Sequence, residues 1–329
     1  METLPHILVT GGNGLIGGFL TAILLERGHA VTVLDTAPFE EGSLPGLGAA
    51  GNPRLTYVQG SVTDACIWPQ LPRTFQYMVH CAALLGIERV PRYQIETLDS
   101  SIAGTRACLD FASGLRNLER LVYLSTSEIY GIHSRDHDEN EPAVILTDSG
   151  RWCYASAKLS AEFYVKAFAE RFGFQYTIVR PFNVYGPAPT SSIALPVMVR
   201  RAVANETIFV SGTGNQTRSW CHIQDFVEGL TGCMFFEPAR NETINLGNET
   251  TEISLIELAR MITRISQSSS RIEVQGDVRP DVLARRPNLQ RAKELLDFKP
   301  TIGLAEGIAS MAGWARGEER YQRPKAATA

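Results

Sequence analysis

The sequence contains no apolar run approaching the ~20 residues that a membrane-spanning helix requires, and its apolar start, HILVT, has no basic flank. These absences predict a chain with neither a membrane span nor a signal peptide. Cysteine is sparse: Cys66, Cys81, Cys108, Cys153, Cys221 and Cys233 are scattered without CxxC spacing, which argues against zinc and against a disulfide framework. A reducing cytoplasm suits that pattern. No basic stripe or repeated basic-aromatic pattern is present, and the net charge of −4 gives no electrostatic reason to expect a nucleic-acid partner. Repeats and low-complexity linkers are missing as well. What remains is an ordinary globular composition, 44% apolar and 20% charged over 329 residues, long enough for a large α/β unit with one appended lobe.

From His6 onward, short β-branched runs alternate with amphipathic stretches: HILVT, GLIGGFLTAILLERG, AVTVLD, LTYVQG and YMVHCAA. The alternation continues through SIAGTRACLDFA, LERLVYLST, YASAKLSAEFYVKAFAERFG and QYTIVRPFN. Strand and helix signals in that order predict βαβ units around a parallel sheet buried on both faces. The expected fold is therefore α/β, a Rossmann-type doubly wound sheet over residues 1–183 with segments at about 222–248 returning to it. Residues 184–316, with proline-containing loops and short polar strands, are expected to form mainly a smaller C-terminal substrate-binding lobe, and 317–329 a polar tail.

Directly after the first strand comes TGGNGLIGGFL, in which Gly11, Gly14 and Gly17 are spaced GxxGxxG and Leu15 and Ile16 open a helix. Glycines let the backbone turn tightly and allow a pyrophosphate to approach the free amides of a helix N-terminus. Asp35 ends the second strand, where a carboxylate suits the ribose hydroxyls of NAD, and no arginine follows to receive a 2′-phosphate. Further on, RWCYASAKLSAEFY places Tyr154 and Lys158 four apart, on one helical face. A free phenol, with a pKa near ~10, is a poor base at neutral pH. An ammonium one turn away, together with a cationic nicotinamide, would favour the phenolate.

Joined to the hydroxyls that end the strand LVYLSTSE, these motifs resemble the short-chain dehydrogenase/reductase superfamily in its extended, nucleotide-sugar branch. HCAA (80–83), RPFNVYGP (180–187) and GTGNQTRSWCHIQD (212–225) are similar to that branch too, so the resemblance runs over nearly the whole chain. It implies NAD as cofactor and a nucleotide sugar, expected to be UDP-linked, as substrate. Thr126 would hydrogen-bond the reacting hydroxyl, Tyr154 would remove its proton, and Lys158 would hold the nicotinamide ribose. Further cofactor contacts implied are Ser61 and Val62, then Cys81, Ala82 and Ala83, then Ser125 and Pro181. Ser61 departs from the family, which places an Asp there. Ser100 and Ser101 also stand where an Asn pair is common. Asn183 and Arg218 would contact the diphosphate, and Leu195 and Pro196 the base. A homodimer is implied by the same resemblance.

Oxidation at C4 opens three routes. Return of the hydrogen to the other face is epimerisation. Loss of the C6 hydroxyl is dehydration, in which Glu128 would act as base, but Ser127 stands where an acid is often found. A C6 carboxylate makes the 4-keto sugar a β-keto acid that releases carbon dioxide, a route that tolerates Ser127. The RWxY run and DVLARRPNLQRA (281–292) resemble UDP-glucuronate decarboxylases, with Arg285 near the sugar carboxylate. The stretch LLGIERVPR (84–92), with Arg89, instead looks like an epimerase loop. UDP-glucuronate decarboxylation is the leading expectation, with 4-epimerisation and 4,6-dehydration as alternatives and a catalytically silent NAD sensor as the non-enzymatic one. The loop GIHSRDHDENEP, with His133, Asp136, His137 and Asp138, is read as solvated and not as a metal site.

Overall fold

The computed structural model describes residues 4–86, 89–132, 136–147, 149–187, 193–276 and 282–317. Six strands are formed from the β-branched runs of the first half: β1 His6–Thr10, β2 Ala30–Asp35, β3 Leu55–Gln59, β4 Tyr77–His80, β5 Arg120–Leu124 and β6 Gln175–Pro181. Between and after them run the helices α1 Leu15–Glu26, α2 Arg89–Arg92, α3 Gln94–Ser113 and α4 Cys153–Phe172. The short strands β7 Val184–Tyr185, β8 Ile208–Ser211, β9 Thr217–Arg218 and β10 Cys221–His222 follow, and β11 Glu242–Leu246 then rejoins the main sheet. Its order is β11-β6-β5-β4-β1-β2-β3, every pairing parallel, which is the doubly wound arrangement expected from the alternation. Strand order reverses between β1 and β4, so a crevice opens at their carboxyl ends.

The sheet is covered on both faces because its strands are apolar on both. All five residues of β5 are buried, with Leu121 and Tyr123 facing one apolar cluster and Val122 and Leu124 the other. Helices α3 and α4 pack side by side on the first face through residues such as Leu109, Phe111, Val165 and Phe168. The second face is closed by α1 and by α6 Ile223–Phe235. Helix α4 is rich in alanine and ends at Gly173, whose φ of +80° stops it in the left-handed region.

A third apolar cluster builds the smaller lobe from α5 Ala194–Val203, α7 Leu255–Ile265, α9 Leu304–Arg316 and β8. Strand β8 pairs with β13 Ile272–Gln275, and β9 lies between β12 Ile253–Ser254 and β14 Ala284–Arg285. Helix α8 Gln290–Leu296 packs back under β11. The lobe meets the rest where α9 crosses β7 and β10: a Cβ on Gly307 would stand 2.0 Å from the Tyr185 hydroxyl and 3.1 Å from His222. Gly307→Ala is accordingly expected to overpack this junction and cost about 1–3 kcal/mol in chemical denaturation. An unchanged unfolding midpoint would show that the junction yields.

Candidate active site

The turn after β1 is interlocked with its surroundings. Gly11 has φ +68°, and a Cβ there would stand 2.7 Å from the Ala82 backbone nitrogen, while one on Gly17 would stand 2.2 Å from the Gly11 carbonyl oxygen. Gly14 caps α1 without any side-chain hydrogen bond, and Leu15 and Ile16 follow half-buried. At the end of β2, Asp35 Oδ2 accepts from the Asn13 backbone amide at 2.9 Å and Oδ1 from that of Ala37 at 3.0 Å. Asn13 itself is buried, donating from Nδ2 to the carbonyls of Pro38 (3.0 Å) and Phe39 (3.1 Å) and accepting on Oδ1 from the Leu44 amide (3.1 Å). Its place between the glycines of the motif is the signal the sequence carries for it. A helix N-terminus bare of side-chain caps, beside a fixed carboxylate, fits the pyrophosphate and ribose of NAD.

On the neighbouring strands, Cys81, Ala82 and Ala83 lie half-buried just past β4, with the Ala82 amide donating to Thr10 Oγ1 at 3.4 Å. Ser61 turns its hydroxyl to Thr63 (2.8 Å), and the Val62 carbonyl accepts from Trp68 Nε1 (3.0 Å). Both are therefore tied into their own turn.

The end of β5 supplies the central feature. Three consecutive residues there each engage one residue of α4: Lys158 Nζ donates to the Leu124 carbonyl at 2.6 Å, Ser125 Oγ donates to Glu162 Oε1 at 2.5 Å, and the Thr126 hydroxyl bonds Tyr154. Tyr154, Lys158 and Glu162 are spaced at four residues on the buried face of the helix. The Lys158 ammonium also lies 4.7 Å over the Tyr123 ring. Burial, only partly opposed by Cys81 and Glu162, lowers Lys158 to about 8. The same burial, with Lys158 adding to it, lowers His80 to about 3, so that imidazole is neutral. Its Nδ1 lies 2.6 Å from Thr10 Oγ1 and its Nε2 3.1 Å from Thr105 Oγ1.

The polypeptide by itself, without the cationic nicotinamide, does not favour the phenolate. Burial raises Tyr154 well above the ordinary tyrosine value, the Glu128 carboxylate raises it further, and only the Thr126 hydrogen bond pulls it down. Lys158, turned to the Leu124 carbonyl, does not offset that burial. Glu128 is half-buried and its amide donates to Thr126 Oγ1 at 3.2 Å, while Ser127 is buried. Cys153, half-buried beside Tyr154, has its thiol raised by burial.

Across the cleft, Asn183 adopts φ +37° and donates from Nδ2 to the Ser219 carbonyl at 2.9 Å. Pro181 is half-buried at the end of β6. Arg218 and Arg285 are register partners on β9 and β14. Arg218 donates to the Thr217 and Val282 carbonyls, each at 2.8 Å. Arg285 is 5% exposed and donates to the Gly131 carbonyl at 3.3 Å, so it reaches the turn that carries Thr126, Ser127 and Glu128.

Other candidates lie elsewhere. Leu195 and Pro196 are buried in the first turn of α5, with Leu195 in the lobe's apolar cluster, so their side chains do not line an open cleft. Arg89 is exposed at the start of α2. The loop read as solvated is partly core: His137 is fully buried, stacks on Tyr130 at 4.7 Å and accepts on its carbonyl from Asn245 Nδ2 (2.9 Å), while Glu139 accepts from the Asn245 amide (2.8 Å). His133 lies outside the described residues.

Cradle, carboxylate and tyrosine-bearing helix on a doubly wound sheet define the class, an extended short-chain dehydrogenase/reductase with a dinucleotide crevice. A model of the NAD dependent epimerase/dehydratase family matches residues 7–247, and the chain belongs to that family. It is 31% identical to a UDP-N-acetyl-alpha-D-glucosaminuronate decarboxylase of Bacillus cytotoxicus, over 94% of this chain and 97% of that protein. It is also 31% identical to UDP-glucuronic acid decarboxylase 1 of Arabidopsis thaliana, covering 93% of this chain and 68% of that one. Among solved structures, the UDP-glucuronic acid 4-epimerase of Bacillus cereus superposes with a TM-score of 0.85 at 23% identity, over 95% of this chain and all (100%) of that one.

Lys158 titrates near 8 in the folded protein against an ordinary 10.5, so between those values the unfolded chain binds the extra proton and stability gains with rising pH. Lys158→Met should lack this gain: the melting temperature of the wild type relative to the variant is expected to climb from pH 8 to pH 10 in scanning calorimetry. A difference that stays flat across that range would place the ammonium in a wetter setting than described.

Proposed function

We propose that the protein decarboxylates a UDP-linked uronic acid at the 4-keto stage, using NAD as a catalytic cofactor. The observation that carries the reading is Arg285, a buried guanidinium held against the turn of Thr126, Ser127 and Glu128. A cation there suits a carboxylate on C6, and both decarboxylase relatives act on uronates by their names.

Held by the glycine turn after β1 and by Asp35, NAD would supply the hydride acceptor and donor for C4. Tyr154 takes the proton of the C4 hydroxyl while Thr126 holds that oxygen, and Lys158 holds the nicotinamide ribose. The polypeptide alone keeps the phenol protonated; a positive charge brought against it is what makes it a base. Once C4 is a ketone, the bond from C5 to the carboxyl carbon breaks, its electrons pass to the C4 oxygen as an enolate, and carbon dioxide leaves. A proton from solvent then takes the place of the carboxyl group at C5, and C4 regains its hydrogen while Tyr154 returns the hydroxyl proton, so the product differs from the substrate by carbon dioxide alone. Dehydration would need an acid for the C6 hydroxyl, and a buried Ser127 is not one. Asn183 and Arg218 take the diphosphate side. The second reading, UDP-uronate 4-epimerisation, is favoured by Arg89 on the epimerase-like segment before α3.

Two further features belong to this reading. Ile95 on α3 and Phe163 on α4 are 72% and 67% exposed on two helices that pack side by side, and it is to these helices that we assign the contact with a second copy in a homodimer. None of the six cysteines is paired, which goes with a reducing, cytoplasmic setting.

Incubation with UDP-glucuronate, UDP-N-acetylglucosaminuronate, UDP-glucose and GDP-mannose is expected to give a product lighter by about 44 mass units from a uronate only. Loss of about 18 units, or an unchanged mass with C4 inverted by NMR, would replace decarboxylation by dehydration or epimerisation. In the same assay Tyr154→Phe should stop turnover and still bind NAD; an active variant removes the phenol from its role.

A further inference from the structure

Behind the tyrosine and lysine lies a buried ion pair that neither of them touches through a hydrogen bond. Glu162, 2% exposed, receives Arg180 Nε on Oε1 at 3.0 Å and Arg180 Nη2 on Oε2 at 2.7 Å, in a two-pronged contact. Oε1 also accepts from Ser125 at 2.5 Å. Arg180, 6% exposed, extends the network from Nη1 to the Tyr130 hydroxyl (2.9 Å) and the Glu139 carbonyl (3.0 Å), and Tyr130 donates on to Asn245 Oδ1 (2.7 Å). One carboxylate thus joins α4 to β6 and to the residue after β5, and through Arg180 to β11.

A pair this deep is weak support for stability alone, since replacing both partners by apolar groups is often neutral. Its placement suggests another task. Glu162 sits one turn beyond Lys158 and two beyond Tyr154, and Ser125, which holds it, stands between Leu124 and Thr126, which hold those two. We infer that Glu162 is the positioning residue of the Tyr154–Lys158 pair: clamped by Arg180 and Ser125, it sets the rotation of α4 against the end of β5 and supplies the buried negative charge that keeps Lys158 an ammonium. The inference rests on the proposed roles of Tyr154 and Lys158.

The groups facing Lys158 are His80 and Cys81 at the end of β4, the Tyr123 ring and the Leu124 carbonyl on β5, and Tyr154 and Glu162 on its own helix. Buried neutral, His80 and Cys81 carry no charge at neutral pH, which leaves Glu162 as the anion among them. Facing Glu162 are Arg180 on β6, Ser125 and Tyr123 after and on β5, and Lys158. Removing the carboxylate charge makes the ammonium harder to hold, so its proton is lost at lower pH.

The test compares wild type, Glu162→Gln and the double variant Glu162→Gln/Arg180→Met. The double variant removes both members of the Glu162–Arg180 pair, so no guanidinium is stranded, and keeps the assay open where the single variant unfolds. Two quantities are measured from pH 6.5 to 10: the dissociation constant of NAD by calorimetry, and kcat and KM with the UDP-uronate that the protein turns over. The alkaline loss of NAD affinity and of kcat should move to lower pH by about one unit in Glu162→Gln and by less, though still measurably, in the double variant. At pH 8 kcat should fall about tenfold with KM within about twofold. A folded double variant with the wild-type kcat and the wild-type alkaline limb in both measurements overturns the inference and assigns the pair to packing. Tyr154→Phe in parallel separates the two claims: if that variant turns over, the base assignment fails; if it is dead while the double variant behaves as wild type, only the role of Glu162 fails.

Discussion

Everything at the proposed reaction centre depends on how the end of one strand grips one helix. Leu124, Ser125 and Thr126 hold Lys158, Glu162 and Tyr154 through a carbonyl and two hydroxyls. A strand end with one buried carbonyl to spare and two short hydroxyls can do this because α4 presents a polar group at every fourth residue of an otherwise alanine-rich, close-packing face. A helix packed only by apolar contacts could slide or roll by a fraction of a turn at little cost. Polar contacts at three heights along it remove that freedom, and buried donors left unmatched by a roll would each cost about 1–3 kcal/mol.

The same grip has an electrostatic side. Taking a phenol, an ammonium and a carboxylate out of water pushes the first two toward their neutral forms, and the protein leaves the phenol there. Its resting state is a protonated tyrosine beside a weakened ammonium, with Glu128 adding negative charge on the cleft side. A phenol held this way stays protonated until a cation is brought against it, so the base proposed here would act only in the loaded crevice.

Much of this was legible in the residues because its signals are local. A strand that runs into GxxGxxG, an aspartate closing the next strand and a tyrosine four residues before a lysine each sit within a dozen positions, and the parallel sheet followed from alternation alone. What escaped reading pairs residues that are distant in sequence. Glu162 meets Arg180 across 18 positions and Tyr130 meets Asn245 across 115, and no periodicity announces either. Asn13 lay in plain view inside a motif, yet its partners on the 38–44 loop exist only after folding. Spacing placed Lys158 on the same face as Tyr154 but could not say that its proton would go to a backbone carbonyl. Leu195 is similar: the resemblance assigns it to the base, while its burial depends on a lobe core assembled from three helices.

The cradle after β1 carries a consequence for descent with modification. The volume beside Gly11 is filled by the backbone that follows β4, and the volume beside Gly17 by the carbonyl of Gly11 itself, so neither position accepts even a methyl group unless main chain elsewhere gives way. Point changes at either position meet main chain and not a side chain that could turn aside. Novelty in such a lineage is channelled into the distant loops and the smaller lobe, and a new sugar preference can be acquired while the coenzyme grip is inherited intact.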